Sequence, residues 1–374
     1  MPQGEAVPAS KPAGSACPDL VSVIVPAFNA VRTIDETLAS ARAQTYAALE
    51  IIVVDDGSTD GTVGVVQAHL NADPRVRLIR QSNQGVAAAR NAGIAAATGA
   101  LVATLDADDL WLPEKIRMQV EAMRRVGDGA GLCCTGVHAI DGVGRGVGRH
   151  LPEPGSAPMR AMCRVNLVGN GSSALMPRSL VLECGGFDPS LRAANAQGCE
   201  DWQLYLRIVE HHTVVVVPEC LTGYRQHPMQ MSGRLEEMVR SAVMVLERVR
   251  KRRPDLAADI DEGLRGMRRR ASGAALSAGE YGRALQLSRS NGLAAQFDVA
   301  ARSLRHAAGR LVRRWRSAQV APNRPQYFIE AASRGAAQAT NTSIDPWRRS
   351  MGKIAEVQAG EASAQFRQGE ARDP

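Results

Sequence analysis

Between residues 21 and 105 the chain alternates short β-branched runs with stretches of helical periodicity, and two of the runs end in acidic turns. Residues 21–25 read as a strand ended by Pro26. Asn29 then stands as a cap before Ile34, Leu38 and Ala41, which share a helical face. The continuous apolar run 51–54 suits a strand covered on both faces and breaks at Asp55-Asp56-Gly57-Ser58. Thr59 or Asp60 can cap the next helix, which carries Val63, Val66 and Leu70. A third strand at 76–79 leads to a helix over 86–97, closed by Gly99. The fourth strand, 101–105, runs into Asp106-Ala107-Asp108-Asp109, and Pro113 takes the first position of a helix with Ile116, Val120 and Met123. Such alternation predicts an α/β fold, a Rossmann-like and mainly parallel sheet with helices on both faces. Ligands bind such sheets outside the carboxyl ends of the strands, where both acidic clusters fall.

From Cys133 to about Tyr224 the pattern is irregular, with strands expected at 172–176 and 213–217 and a helix at 202–210. After Gly233 the chain becomes helical and rich in Ala and Arg, with a helix–turn–helix at 271–287. The expected organisation is a disordered lead-in at 1–19, a catalytic domain at 20–232, a basic helical accessory region at 233–319 and a poorly ordered tail at 320–374. Positive charge is concentrated accordingly. Residues 234–318 hold 19 Lys+Arg against 9 Asp+Glu, whereas the remainder holds 26 against 29. A net charge of +7 spread so unevenly argues against a nucleic-acid binder. In the basic region Ala300, Leu304, Ala307, Leu311, Val312 and Trp315 can share one helical face. That pattern fits either an anionic membrane surface or packing on the chain's own catalytic domain. No apolar run approaches the roughly 20 residues of a membrane span. The odd count of seven cysteines, with no Cys-x-x-Cys pair, suggests buried free thiols and a reducing, cytoplasmic compartment. Adjacent Cys133 and Cys134 would face opposite sides of any strand they occupy.

Asp106 and Asp108 stand two apart at a strand end, an arrangement that repels itself unless a cation, donors or water intervene. A hard divalent ion such as Mn²⁺ or Mg²⁺ offsets it well and would neutralise a departing diphosphate. The alternative is an ordinary acidic turn or a helix cap before Pro113. Asp55 and Asp56 can accept hydrogen bonds from a nucleobase or ribose, or can be plain turn chemistry. Glu200-Asp201 opens a helix; it is either a dipole-favoured cap or a general base for an acceptor hydroxyl.

Taken together, 21–29 (VSVIVPAFN), 53–62 (VVDDGSTDGT), 85–93 (GVAAARNAG), 105–109 (LDADD), 185–188 (GGFD) and Glu200-Asp201 follow the order seen in inverting family-two glycosyltransferases, which the chain resembles over about 21–232. The resemblance implies a GT-A nucleotide-sugar fold. It implies that Pro26, Ala27 and Asn29 line the nucleotide pocket, that Asp55 or Asp56 contacts the base, usually uracil, and that Asp106 sits near the ribose. Asp108 would bind the metal, with Asp106 beside it; Asp201 would be the catalytic base and Glu200 would place the acceptor. Arg90 would either steady the acidic strand ends or form a surface salt bridge, and Arg225 or His227 could reach the diphosphate. The Gln-x-x-Arg-Trp motif of processive synthases is absent after Asp201, so the expected reaction transfers one sugar. Its donor would be a nucleotide-sugar, UDP-linked above others, and its acceptor a glycan or lipid-linked hydroxyl of envelope polysaccharide or glycolipid synthesis. A nucleotidyltransferase would need a Gly-rich loop where Pro26-Ala-Phe-Asn29 stands, and a non-catalytic scaffold would not need the complete acidic set.

Overall fold

The computed structural model describes residues 20–300 apart from 143, 228–229 and 292–298. The lead-in, the helical face from 304 to 315 and the tail therefore lie outside the described residues. Within them the chain begins β1 (Val21–Ala27), α1 (Ile34–Arg42), β2 (Leu49–Asp55), α2 (Thr62–Ala72), β3 (Val76–Arg80), α3 (Val86–Ala96) and β4 (Leu101–Thr104). These strands lie parallel in the order β3-β2-β1-β4. Alternate residues of β1 and β2 sort to two sides. Ile24, Ile52 and Val54 join one apolar cluster, and Val23, Val25, Ile51 and Val53 the other. Both faces are covered, which explains why these runs are apolar throughout.

Several local expectations change in the structure. β1 continues through Pro26 because its pairing with β4 ends at Ile24–Thr104, so little of the ladder needs that missing N–H. Asn29 does not cap α1; Thr33 precedes it, while Asn29 takes a left-handed backbone (φ 49°) in the turn after β1. Gly99 is not a helix cap but a point of close approach: a Cβ there would stand 2.4 Å from the Leu20 carbonyl oxygen. Pro113 lies just ahead of Glu114, the cap of α4 (Lys115–Val126), after the two-residue strand β5 (Leu110–Trp111).

The second half departs further from expectation. β6 (Ala130–Ile140) is an eleven-residue buried strand, followed by the hairpin strand β7 (Gly146–His150), α5 (Pro158–Arg164) and β8 (Ala174–Pro177). After the short helices α6 (Arg178–Glu183) and α7 (Ser190–Ala193) come α8 (Glu200–Val209) and β9 (Thr213–Arg225). β9 runs past Pro218, where a register shift against β6 absorbs the proline. The sheet continues β4-β8-β6-β9-β5, with β7 on β6 and with β8 antiparallel to both of its neighbours. Cys133 and Cys134 do face opposite sides, one in each apolar cluster. All six cysteines among the described residues are free thiols, four of them buried.

α9 (Leu235–Arg252), α10 (Ala257–Ala278) and α11 (Tyr281–Ser288) complete the described chain. Ala242, Val245, Leu246, Val249, Ile260 and Leu264 belong to the same cluster as Trp202, Leu206 and the sheet residues Val102 and Cys134. The C-terminal helices thus share the core of the first 232 residues.

Candidate active site

The motifs meet at the carboxyl ends of β1, β2 and β4, and each holds the next. The Asn29 side-chain oxygen accepts a hydrogen bond from Thr59 N at 2.8 Å, and its backbone N–H donates to Ser58 Oγ at 3.0 Å. The turn after β2 is thereby pinned to the end of β1, beside Pro26 and Ala27. Asp56 is buried and accepts from Gln81 Nε2 (2.7 Å), Gln84 N (2.8 Å) and Gly85 N (2.7 Å). It ties the β2 turn to the entry of α3. Asp55, also buried, accepts from Ser58 N at 3.1 Å and Arg80 Nε at 3.4 Å. Both carboxylates are engaged in holding the turn after β2.

Arg90 of α3 is the centre of the site. It is 5% exposed, so it is not a surface salt bridge. Its Nη2 donates to Asp106 Oδ1 at 2.5 Å, and its guanidinium lies 5.0 Å from the centre of the Phe187 ring. Burial works against the charge, but the carboxylates of Asp106, Asp201 and Glu200 hold this guanidinium more firmly protonated than usual. One buried cation therefore serves both the Asp106 end of the sheet and the acidic start of α8, and its Nε has no hydrogen-bond partner among the described residues. Asn91, the next residue, donates to the Phe187 carbonyl at 2.7 Å and accepts from Phe187 N at 2.9 Å, so the α3 motif grips the Gly-Gly-Phe-Asp turn directly.

The segment from Asn170 to Ser173, whose last two residues the sequence places in a strand at 172–176 and the structure places ahead of β8, supports this centre. Gly171 packs where a Cβ would come 2.6 Å from Arg90 Nη2 and 3.2 Å from Asp106 Oδ2. Ser172 Oγ accepts from Asp106 N at 3.0 Å and donates to Asp109 Oδ2 at 2.5 Å. The sequence carries these residues as Asn-Gly-Ser-Ser, with no local signal of the contacts they make to Asp106 and Asp109.

The three aspartates of the Asp-x-Asp-Asp cluster differ in role. Asp109 is fully buried and accepts from Ser172 Oγ and from Arg225 N at 2.9 Å. Burial and the neighbouring Asp108 and Asp106 charges push its carboxyl well above the usual range. Asp106 and Asp108 are partly exposed, with side chains 27% and 32% accessible. Burial and the Asp106 charge also raise Asp108, against a contact of 2.9 Å between its Oδ2 and His227 Nε2. Arg225 is spent structurally: it donates to the Asp108 carbonyl (2.7 Å), the Gly142 carbonyl (3.0 Å) and Glu36 Oε2 (2.6 Å). Of the two residues expected near a diphosphate, only His227 faces the acidic cluster.

Among the described residues no three His, Cys, Asp or Glu side chains are arranged as a metal centre. The donor chemistry nevertheless fits a divalent cation. Two carboxylates repel each other at an accessible edge, one raised by that repulsion, and a hard cation takes its remaining ligands from substrate phosphates and water.

Across from Asp106, on the other side of Arg90, Asp201 and Glu200 open α8 and are both buried. Asn166 Nδ2 donates to Asp201 Oδ2 at 3.4 Å, Trp202 N donates to Asp201 Oδ1 at 2.6 Å, and Gly198 N donates to Glu200 Oε2 at 2.8 Å. Burial raises both carboxyls, and the Arg90 charge opposes that rise in each. A buried carboxylate at a helix start, with its proton affinity lifted, is suited to receive a proton.

Residues 22–185 match the family model described as glycosyl transferase family 2. The chain carries a family 2 glycosyltransferase domain. The match spans the motifs from β1 to Gly185 and ends before Glu200-Asp201. Relatives of the glycosyltransferase domain include the putative teichuronic acid biosynthesis glycosyltransferase TuaG of Bacillus subtilis, 42% identical over 105 residues, 28% of this chain and 42% of TuaG. They also include the UDP-Glc:alpha-D-GlcNAc-diphosphoundecaprenol beta-1,3-glucosyltransferase WfgD of Escherichia coli, 40% identical over 105 residues, 28% of this chain and 41% of WfgD. The matched segments span well under half the length of these relatives. Among solved structures, residues 1–349 of TarS from S. aureus align with a TM-score of 0.52 at 18% identity, covering 81% of this chain and 93% of that one. The mannosyltransferase PcManGT from Pyrobaculum calidifontis, in complex with GDP-Man and Mn2+, aligns at 0.50 with 22% identity, covering 80% and 82%. At such identities these structures establish the GT-A-like fold of the glycosyltransferase domain and nothing finer.

Proposed function

We propose that the protein transfers a single sugar, with inversion, from a nucleotide-sugar donor to an acceptor hydroxyl in the synthesis of a cell-envelope polysaccharide or glycolipid. The observation that carries this reading is the buried Arg90, which joins Asp106 on the donor side to Asp201 and Glu200 on the acceptor side. The proposed donor is a UDP-sugar, a class named for the relative WfgD, and the proposed acceptor is a glycan or a lipid-linked saccharide. No helix among the described residues is long and apolar enough to cross a membrane, and we place the reaction at the cytoplasmic side of one.

In this reading Pro26, Ala27, Asn29, Asp55 and Asp56 form the nucleotide pocket, with Asp106 toward the ribose. Asp108 and Asp106 would hold Mn²⁺ or Mg²⁺, which when bound stabilises negative charge on the departing diphosphate. Asp201 takes the proton from the acceptor hydroxyl as that oxygen attacks the sugar C1. The C1–O bond to the nucleoside diphosphate breaks on the opposite face, which inverts the anomeric centre. Glu200 orients the acceptor, and Arg90 keeps the base ionised until it is used.

Calorimetric titration with UDP and GDP, with and without Mn²⁺, tests the donor half. Metal-dependent binding of one nucleotide, lost in Asp108→Ala, is expected. Asp201→Asn should abolish transfer while leaving that binding within about twofold, since the base contributes to proton transfer and not to nucleotide affinity. Normal turnover by Asp201→Asn would remove Asp201 from the mechanism.

A further inference from the structure

Several arginines of the C-terminal helices are paired with carboxylates, whereas Arg240 donates to the Asn195 carbonyl. Arg248 pairs with Asp188, Arg250 with Asp261 and Glu247, Arg253 with Asp255, and Arg283 with Glu236 and Glu280. The second half of α10 is different. Residues 263–279 contain four arginines and no acidic residue. Arg265, Arg269 and Arg270 are exposed and Arg268 is half-buried. The Arg265 charge reaches Asp261, whose carboxylate Arg250 already binds, and none of the four makes a salt bridge among the described residues. Two of the guanidinium groups converge. A Cβ built on Gly266 would have Arg270 Nη1 at 3.5 Å and Arg269 Nη2 at 3.9 Å. Like charges held together without a counter-ion form a surface that lacks its anion.

The position of this surface relates it to the site. The Cys199 thiol, at the cap of α8, is pushed up by burial and by the charges of Asp201 and Glu200, with Arg270 opposing them. α9 lies directly behind that cap, where Ser241 Oγ accepts from Cys199 N at 3.2 Å. α10 packs on α9, so this surface lies one helix behind the start of α8 that carries Asp201.

We propose that Arg265, Arg268, Arg269 and Arg270 seat the protein on the phosphate layer of an anionic bilayer, with the acceptor side of Asp201 turned toward it. The proposal rests on the transferase reading for its purpose but not for its test. Charge complementarity selects the occupant: the patch is arginine without an interleaved aromatic between residues 263 and 279, which fits a layer of phosphates better than stacked nucleobases.

The test is sedimentation of the full chain with phosphatidylcholine vesicles, with and without phosphatidylglycerol. Binding should require phosphatidylglycerol and fall steeply with added salt. A basic residue near such a surface contributes about 1 kcal/mol, so R265Q/R268Q/R269Q/R270Q should weaken partitioning on the order of 10²- to 10³-fold. Its UDP or GDP binding should stay unchanged, which shows that the variant is folded. Unchanged vesicle binding by this variant would overturn the proposal and assign the contact to another part of the chain. No binding by the wild type, or binding to single-stranded RNA but not to vesicles, would overturn it too. Absence of nucleotide binding by wild-type protein that still pellets with vesicles would count against the transferase reading alone.

Discussion

At the scale of single residues, the site is organised by one cation shared between carboxylates that do different work. Asp201 stands against Arg90, Asp106, Glu200 and Asn166, and the balance of burial against the Arg90 charge sets its proton affinity. The proposed base acts when deprotonated, so transfer should fall as pH drops through a value above the ordinary aspartate range near about 3.9. Replacing Arg90 by Gln removes the charge that opposes the rise. The acid limb of the rate profile should then move upward, whereas Arg90→Lys should restore most of it. A profile that stays in place in Arg90→Gln would mean that the pair is structural only. The roles of neighbouring acids were only partly legible. The acidic clusters and their strand ends could be read directly, because strand termination by Asp-Gly or Asp-x-Asp is a local signal. That Asp109 is buried against Ser172 and Arg225, whereas Asp108 faces His227, depends on contacts across 63 to 119 residues of sequence.

At the scale of elements, legibility followed how far a strand's character is written in its own residues. β1 to β4 are β-branched runs with sharp ends and were readable to within a residue or two. β6 was not, because Gly131, Gly136 and two cysteines interrupt its apolar run and mimic a loop. Those glycines serve packing: a Cβ at Gly131 would stand 2.4 Å from the Cβ of His212. Gly99 misled in the same way, reading as a helix stop where the structure uses it for backbone approach. Gly99→Ala should therefore cost about 1–3 kcal/mol, since the obstructing atoms include the Leu20 carbonyl and Ser22 N, which cannot rotate aside. A thermal melt that stays within about a degree of wild type would refute the close-approach account.

At the scale of the whole molecule, the basic C-terminal helices had the composition of an appendage, yet α9 and α10 complete the core that α8 and the sheet begin. Val245, Leu246, Val249, Ile260 and Leu264 alone bury side chains worth together about 10 kcal/mol, which is comparable to the entire stability of a typical domain. A chain ending at Ser232 should therefore aggregate or show no cooperative melt; a soluble fragment with a sharp transition would show that the helices merely lean on an independent domain. The continuity of the sheet bears on how substrates come and go. Strands β1, β2 and β4, which run into the acidic and Pro-Ala-Phe-Asn motifs, and strands β6 and β8 are rungs of one hydrogen-bonded ladder, with no seam between them. Two lobes joined in that way cannot gape apart like a clam without tearing backbone bonds. In the proposed reaction, traffic would therefore be left to the loops beyond the strand ends, while the sheet beneath them stays a single rigid floor.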